Sequence, residues 1–181
     1  MGDHINHSHS RPLAAANMLE HPVIRVAPVD ARLRQALLGL RVLPTQRRWI
    51  GAIANLLADV ALCHGSEPMA ILRDDTAIGY YRIEPSARSV AGRDFDLPTR
   101  GVCSFFIDAD WQGRGIGTLA LDALIADLVQ RCRQARQLVL SVDADNPVAM
   151  RLYRRAGFVD IGELYHGDRS GAQHLLLRAL S

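Results

Sequence analysis

Cysteine is scarce in this chain: Cys63, Cys103 and Cys132 are odd in number, widely spaced and without a CxxC pair. That excludes a disulfide framework and a zinc ribbon, and it reads as idle thiols of a reducing compartment, so the expected location is cytoplasmic. Long apolar runs are missing too. None approaches the roughly 20 residues that span a bilayer, which excludes a membrane-spanning helix. Residues 1–20 lack the apolar core of a secretory signal. Charge of one sign is also lacking: the net value of +2 is too small for a generic nucleic-acid binder. What remains is ordinary for a globular protein, with 49% apolar and 22% charged residues. At 181 residues the chain fits one domain able to bury its own core.

Residues 1–20 read as a disordered tail, with His4, His7 and His9 interleaved with Ser, Asn and Gly. A single folded domain is expected over 21–181. Residues 23–29 alternate well enough for a first strand. Asp30 caps a helical run with Leu33, Leu37, Leu38 and Leu40 on its stripe. Pro44 opens a second helix carrying Trp49, Ile50, Ile53, Leu56, Leu57 and Val60 at helical spacing. Residues 69–72 and 77–83 flank Asp74-Asp75 as a β-hairpin. Residues 85–99 show no element, which marks a functional or disordered loop.

Residues 102–108, rich in aromatic and β-branched side chains, predict the central strand. Leu121, Leu124, Ile125, Leu128 and Cys132 then form the stripe of a long helix packed on the sheet. Leu138, Leu140 and Val142 alternate as the next strand. Asn146 caps a short helix, with Pro147 at its first position and Gly157 past its end. Residues 158–165 and 173–177 finish as two strands joined through His166-Gly167-Asp168. This order suits a mixed α/β sheet.

Chemistry enters at Gln112-Gly113-Arg114-Gly115-Ile116-Gly117, between the central strand and the long helix. Strand, glycine turn and helix together present unpaired backbone N–H groups and a positive dipole end to an anion. Glycine lets the backbone take φ > 0 and approach a phosphate closely. Two ligand classes fail on spacing. The dinucleotide fingerprint separates its last two glycines by two residues, whereas Gly115 and Gly117 are separated by one. The triphosphate loop ends in Gly-Lys-Ser/Thr, and no lysine stands between Gly117 and Thr118.

Gln112-x-x-Gly115-x-Gly117, preceded by Phe105-Phe106-Ile107-Asp108, resembles the acetyl-CoA signature of the GCN5-related N-acetyltransferases. Asn146-Pro147 and Tyr153 match the second half of that family's pattern, so the resemblance spans residues 100–158. It implies a mixed, mostly antiparallel sheet of six to seven strands with a splayed central pair, flanked by about four helices. Acetyl-CoA is the implied co-substrate. Its pyrophosphate would lie on the backbone of Gly113, Arg114, Gly115, Ile116, Gly117 and Thr118, beside Gln112 and the Arg114 guanidinium. Its pantetheine arm would pair with Phe105, Phe106 and Ile107 as an added strand, and Asn146 would touch the coenzyme. A backbone N–H at Phe106 or Ile107 would meet the oxyanion. Tyr153 takes the family's place of general acid: a phenol of pKa ~10 is protonated at neutral pH and can serve a thiolate of pKa about 8.5. The implied assembly is a homodimer.

The acceptor is less legible. Where the family's N-terminal acetylators carry a glutamate, five residues before the asparagine, this chain has Ser141. The general base is not identified; Glu84 and Asp108 are the carboxylates singled out for the acceptor side. Residues 43–59 and 69–79 more loosely resemble bacterial spermine/spermidine acetyltransferases. Asp74, Asp75, Glu84, Asp94, Asp96, Asp108 and Asp110 give a mildly basic chain an acidic middle suited to a polycation. The preferred expectation is N-acetylation of a small amine such as spermidine or spermine. Acetylation of protein lysines or N-termini, and a non-catalytic coenzyme-binding sensor or partner subunit, stay open.

Overall fold

The computed structural model describes residues 23–166 and 172–180. The expected tail with its three histidines and the Gly167-Asp168 turn lie outside the described residues. Seven strands form one sheet in the order β1-β2-β3-β4-β5-β7-β6. They are β1 (Ile24–Pro28), β2 (Glu67–Arg73), β3 (Thr76–Glu84), β4 (Thr99–Ile107), β5 (Gln137–Asp143), β6 (Val159–His166) and β7 (Ala172–Ala179). Every neighbouring pair is antiparallel except β4 and β5, which run parallel. The mixed, mostly antiparallel sheet of the expectation is therefore present.

Helices cover both faces. On one, α5 (Ile116–Arg131) buries Leu121, Leu124 and Leu128 against Met69, Ile71, Ile78, Tyr81 and Ile83. On the other, Leu37 of α1 (Ala31–Leu38) and Leu56 and Leu57 of α3 (Ile53–Asp59) pack on Ala70, Leu72, Tyr80 and Phe106. Asp30 caps α1 through the Leu33 N–H at 2.7 Å, and Arg34 ties α1 to the Leu57 carbonyl at 2.9 Å. Each fully buried Leu contributes about 1.5–3 kcal/mol relative to exposure.

Two regions differ from the sequence expectation. The single helix predicted from Pro44 is instead a 3₁₀ turn (Pro44–Gln46), α2 (Arg47–Ile50) and α3. Gly51 separates α2 from α3 at φ +77°, a conformation that L side chains rarely adopt. The stripe survives the break because α2 and α3 still face the same sheet surface. Residues 85–99 are not structureless: α4 (Arg88–Ala91) places Ala91 beside Val139 and Leu175. Four residues are too few to give a periodic signal.

Candidate active site

The site begins where the sheet stops being continuous. β4 and β5 pair only at Thr99, Arg100 and Gly101 against Gln137, Leu138 and Val139. Beyond that, β4 stays with β3 as far as Ile107, and β5 stays with β7 as far as Asp143, so the parallel pair splays. A β-bulge helps to turn β4 away: its register against β3 shifts between Tyr80 and Arg82, and Ser104 on β4 sits at φ +56°. The gap is a cleft of about 100 Å³ lined by Cys103, Ser104, Phe105, Ser141, Asn146 and Tyr153, with Trp49 and Ile50 of α2 at one wall. A strand without its neighbour leaves backbone donors and acceptors for an extended ligand.

At the end of β4 the chain turns through a 3₁₀ turn (Ala109–Trp111) into the glycine loop. Gly113 and Gly115 lie at φ +73° and +74°, and Gly115 is the N-cap of α5 with no side chain to cap it. The first N–H groups of a 16-residue helix thus point from a bare end. A Cβ at Gly113 or Gly115 would meet no protein atom within 4 Å, so the positive φ demands glycine there while the space in front stays open. Gly117 differs: a Cβ would come 3.3 Å from Leu152, so this glycine lets α5 approach α6 (Pro147–Arg155). Gln112 braces the turn from behind. Its amide donates to the Ile107 carbonyl at 2.7 Å and exchanges bonds with the Gln46 amide at 2.9 Å. Arg114 is exposed, its guanidinium 5.6 Å from the Trp111 ring centroid. The cradle fits a pyrophosphate.

The second half of the motif meets the first across the cleft. Asn146 caps α6 by accepting from the Ala149 N–H at 3.1 Å, which leaves its amide nitrogen for a ligand. Tyr153, about two helix turns further on, is buried with Phe105 and Phe158 edge-on at 6.2 and 5.7 Å. Burial, and then the field of Cys103, pushes the Tyr153 phenol well above its ordinary range. It keeps its proton at neutral pH.

The two carboxylates of the acceptor expectation are both bonded by the protein. Glu84 accepts from Ser66 Oγ at 2.6 Å, Arg82 Nε at 2.5 Å and Cys103 Sγ at 3.3 Å. Burial works to raise its pKa, but the bonds from Ser66, Cys103 and Arg82 carry it below the usual carboxylate range. Asp108 caps the 3₁₀ turn through the Asp110 N–H at 2.9 Å and takes the Arg41 N–H at 2.6 Å. Sequence reading passed over Cys103, Trp49 and Asp145. A lone thiol and an aromatic on a helical stripe look like packing, and Asp145 looks like a loop residue. Burial pushes the Cys103 thiol up to about 12, so it is not a thiolate at neutral pH.

The sheet thus opens between two parallel strands, with a bare helix end at the mouth and a protonated phenol lining the gap. The chain belongs to the Acetyltransferase (GNAT) family, whose model matches residues 35–158. It is similar to the spermine/spermidine N(1)-acetyltransferase of Bacillus subtilis (strain 168), at 29% identity over 153 residues, 81% of this chain and 95% of that protein. Two solved structures share the fold. An aminoglycoside N(6')acetyltransferase from Legionella pneumophila aligns with TM-score 0.68 at 13% identity, covering 91% of this chain and 96% of that one. A spermidine N-acetyltransferase from Vibrio cholerae, solved with CoA and spermine, aligns with TM-score 0.64 at 14% identity, covering 87% and 95%.

Proposed function

We propose that the protein transfers the acetyl group of acetyl-CoA directly to a small amine, with a polyamine such as spermidine or spermine as the preferred acceptor. The observation that carries this reading is the splayed β4–β5 cleft, which sets Tyr153 and Asn146 beside the open strand edge. Acetyl-CoA brings an acyl carbon activated by its thioester. The N–H groups of residues 113–118 hold the pyrophosphate, with Arg114 adding charge, and Gln112 holds the turn in place. Phe105, Phe106 and Ile107 take the pantetheine amides as a strand would, and the Asn146 amide steadies the same arm.

A β4 N–H at Phe106 or Ile107 receives the carbonyl oxygen as it gains negative charge. The neutral amine attacks the acyl carbon. As the tetrahedral centre collapses, the C–N bond stays, the C–S bond breaks, and Tyr153 gives its proton to the leaving sulfur. The amine's proton passes to solvent water. The protonated Cys103 thiol supports direct attack over relay through an acetyl-cysteine.

The polyamine preference is supported by the name of the Bacillus relative and the ligands of the Vibrio structure; the Legionella protein supports the wider amine class. Ser141, lining the cleft where N-terminal acetylators would carry a glutamate, favours a small amine over a peptide. Glu84 and Asp108 are proposed to act on a cationic acceptor through their field rather than by direct contact. Three unpaired thiols agree with the cytoplasm, no described helix is long and apolar enough to cross a membrane, and a homodimer is the proposed assembly. An amine panel with acetyl-CoA, read by free thiol, tests the reading. Turnover of spermidine ahead of aminoglycosides and peptides is expected. Calorimetric binding of coenzyme A without turnover of any amine would make the chain a binding module.

A further inference from the structure

One wall of the cleft comes from α2 rather than from the sheet, and α2 is tied across the gap to the residue before the α6 cap. Trp49 Nε1 donates to Asp145 Oδ1 at 3.0 Å, and Arg48 Nη1 pairs with Asp145 Oδ2 at 2.9 Å. The Arg48 guanidinium carbon also lies 4.5 Å from the centroid of the Trp49 ring. A carboxylate and an aromatic face at the rim of the cleft therefore box a cation, and the chain supplies that cation itself. This is the chemistry by which proteins hold ammonium groups.

The resident cation is weakly held and chemically inert. The Arg48 and Asp145 side chains are 61% and 59% exposed, and exposed pairs of this kind are among the weakest interactions in proteins. The chain has 21 arginines and no lysine. A guanidinium remains charged at any working pH. An arginine can thus sit at the mouth of an amine-acetylating cleft without presenting a neutral nitrogen to the acyl carbon.

We propose that Trp49 and Asp145 form the seat for a second, non-reacting positive charge of the acceptor, held by Arg48 in the free protein and given up when the acceptor binds. The seat rests on the amine-acceptor reading above and deepens it. It selects acceptors that carry a cation beyond the nitrogen being acetylated, and it assigns that contact to Asp145 rather than to Glu84 or Asp108. Arg48→Gln removes the competitor and leaves the Trp49–Asp145 bond, so spermidine binding tightens, by about threefold for an exposed pair. Asp145→Asn removes the charge from the seat, so spermidine binding weakens, by about tenfold for a charge-assisted contact. A monoamine such as propylamine changes little with either.

The test is calorimetric titration of spermidine and of propylamine into protein saturated with coenzyme A, for wild type, Arg48→Gln and Asp145→Asn. Acetylation is assayed in parallel. Opposite shifts of the two variants, confined to spermidine, establish the seat. Weaker spermidine binding in both variants would mean that the bridge only holds α2 in place, and would overturn it. Equal shifts for propylamine, or a changed coenzyme A affinity, would overturn it as well. If the shifts appear but wild type does not acetylate spermidine, the seat stands and the proposed acceptor falls. If spermidine is acetylated and both variants bind it like wild type, the acceptor stands and the seat falls. No spermidine binding in any form removes both.

Discussion

Tyr153 joins an apolar setting to a single oxygen, the proposed proton donor, and the two can be separated. Its ring packs on Phe105 and Phe158; Tyr153→Phe keeps that packing and deletes only the hydroxyl. Loss of a general acid costs a factor of roughly 10² to 10⁴. The loss is expected in kcat more than in KM, with coenzyme affinity and thermal midpoint nearly unchanged. A kcat within about threefold of wild type, less than ~1 kcal/mol of barrier, would make Tyr153 a packing residue. Because burial raises the phenol's pKa, the wild-type pH–kcat profile should show no falling limb from this group up to its ordinary value of about 10.

At the scale of elements, the glycine turn and α5 act together: the turn bares the helix end and the helix supplies the N–H groups. Gly115 needs glycine for its φ of +74° and not for crowding. Gly115→Ala therefore strains the turn by about 1–2 kcal/mol and shifts the donors. Gly115→Asp adds a negative charge where the pyrophosphate is proposed to lie. Coenzyme A affinity should fall in both and much further in the aspartate variant. Calorimetry showing unchanged affinity in a folded Gly115→Asp protein would remove the phosphate cradle. Gly117→Ala tests a different link: its Cβ presses on Leu152 at 3.3 Å. Unless Leu152 gives way, this wedge between α5 and α6 costs about 1–3 kcal/mol of stability.

At the scale of the whole molecule, Glu84 and Arg82 join the end of β3 to Ser66 before β2 and to Cys103 on β4. With side chains only 4% and 15% exposed, this pair is inside the fold. Removing one partner of a buried pair costs roughly 3–5 kcal/mol because the other charge is stranded. Glu84→Gln should therefore lower the urea midpoint strongly at neutral pH. The folded pKa of Glu84 is depressed, so its stabilisation is fully present above the unfolded value of about 4.3. It is lost as pH falls through the lower folded value. Wild type should lose stability across that acid window, and Glu84→Gln should lose less. If the two lose stability in parallel, the pair does not govern acid unfolding. At activity level, spermidine KM rising more than a monoamine's in Glu84→Gln or Asp108→Asn would support their proposed field effect.

Local pattern determined most of the fold. Capping by Asp30 and Asn146, the α5 stripe, the hairpin at Asp74-Asp75 and the glycine turn are set by residues near one another in the chain, where propensity and periodicity act. The proposed coenzyme side of the site rests on one turn and one helix start, so a reading of neighbouring residues was enough to propose it. Tertiary structure decided the rest. Gly51 broke a helix whose apolar stripe reads as continuous, because a stripe records which face is buried and not whether the backbone is unbroken. The splay between β4 and β5 depends on where two strands distant in sequence cease to pair. Glu84 looked like an open carboxylate until Arg82, Ser66 and Cys103 closed around it. Asp145 carries no local signal, and α2, almost a hundred positions earlier, reaches across to it. Charges and hydrogen bonds act through space, and only the fold sets those distances.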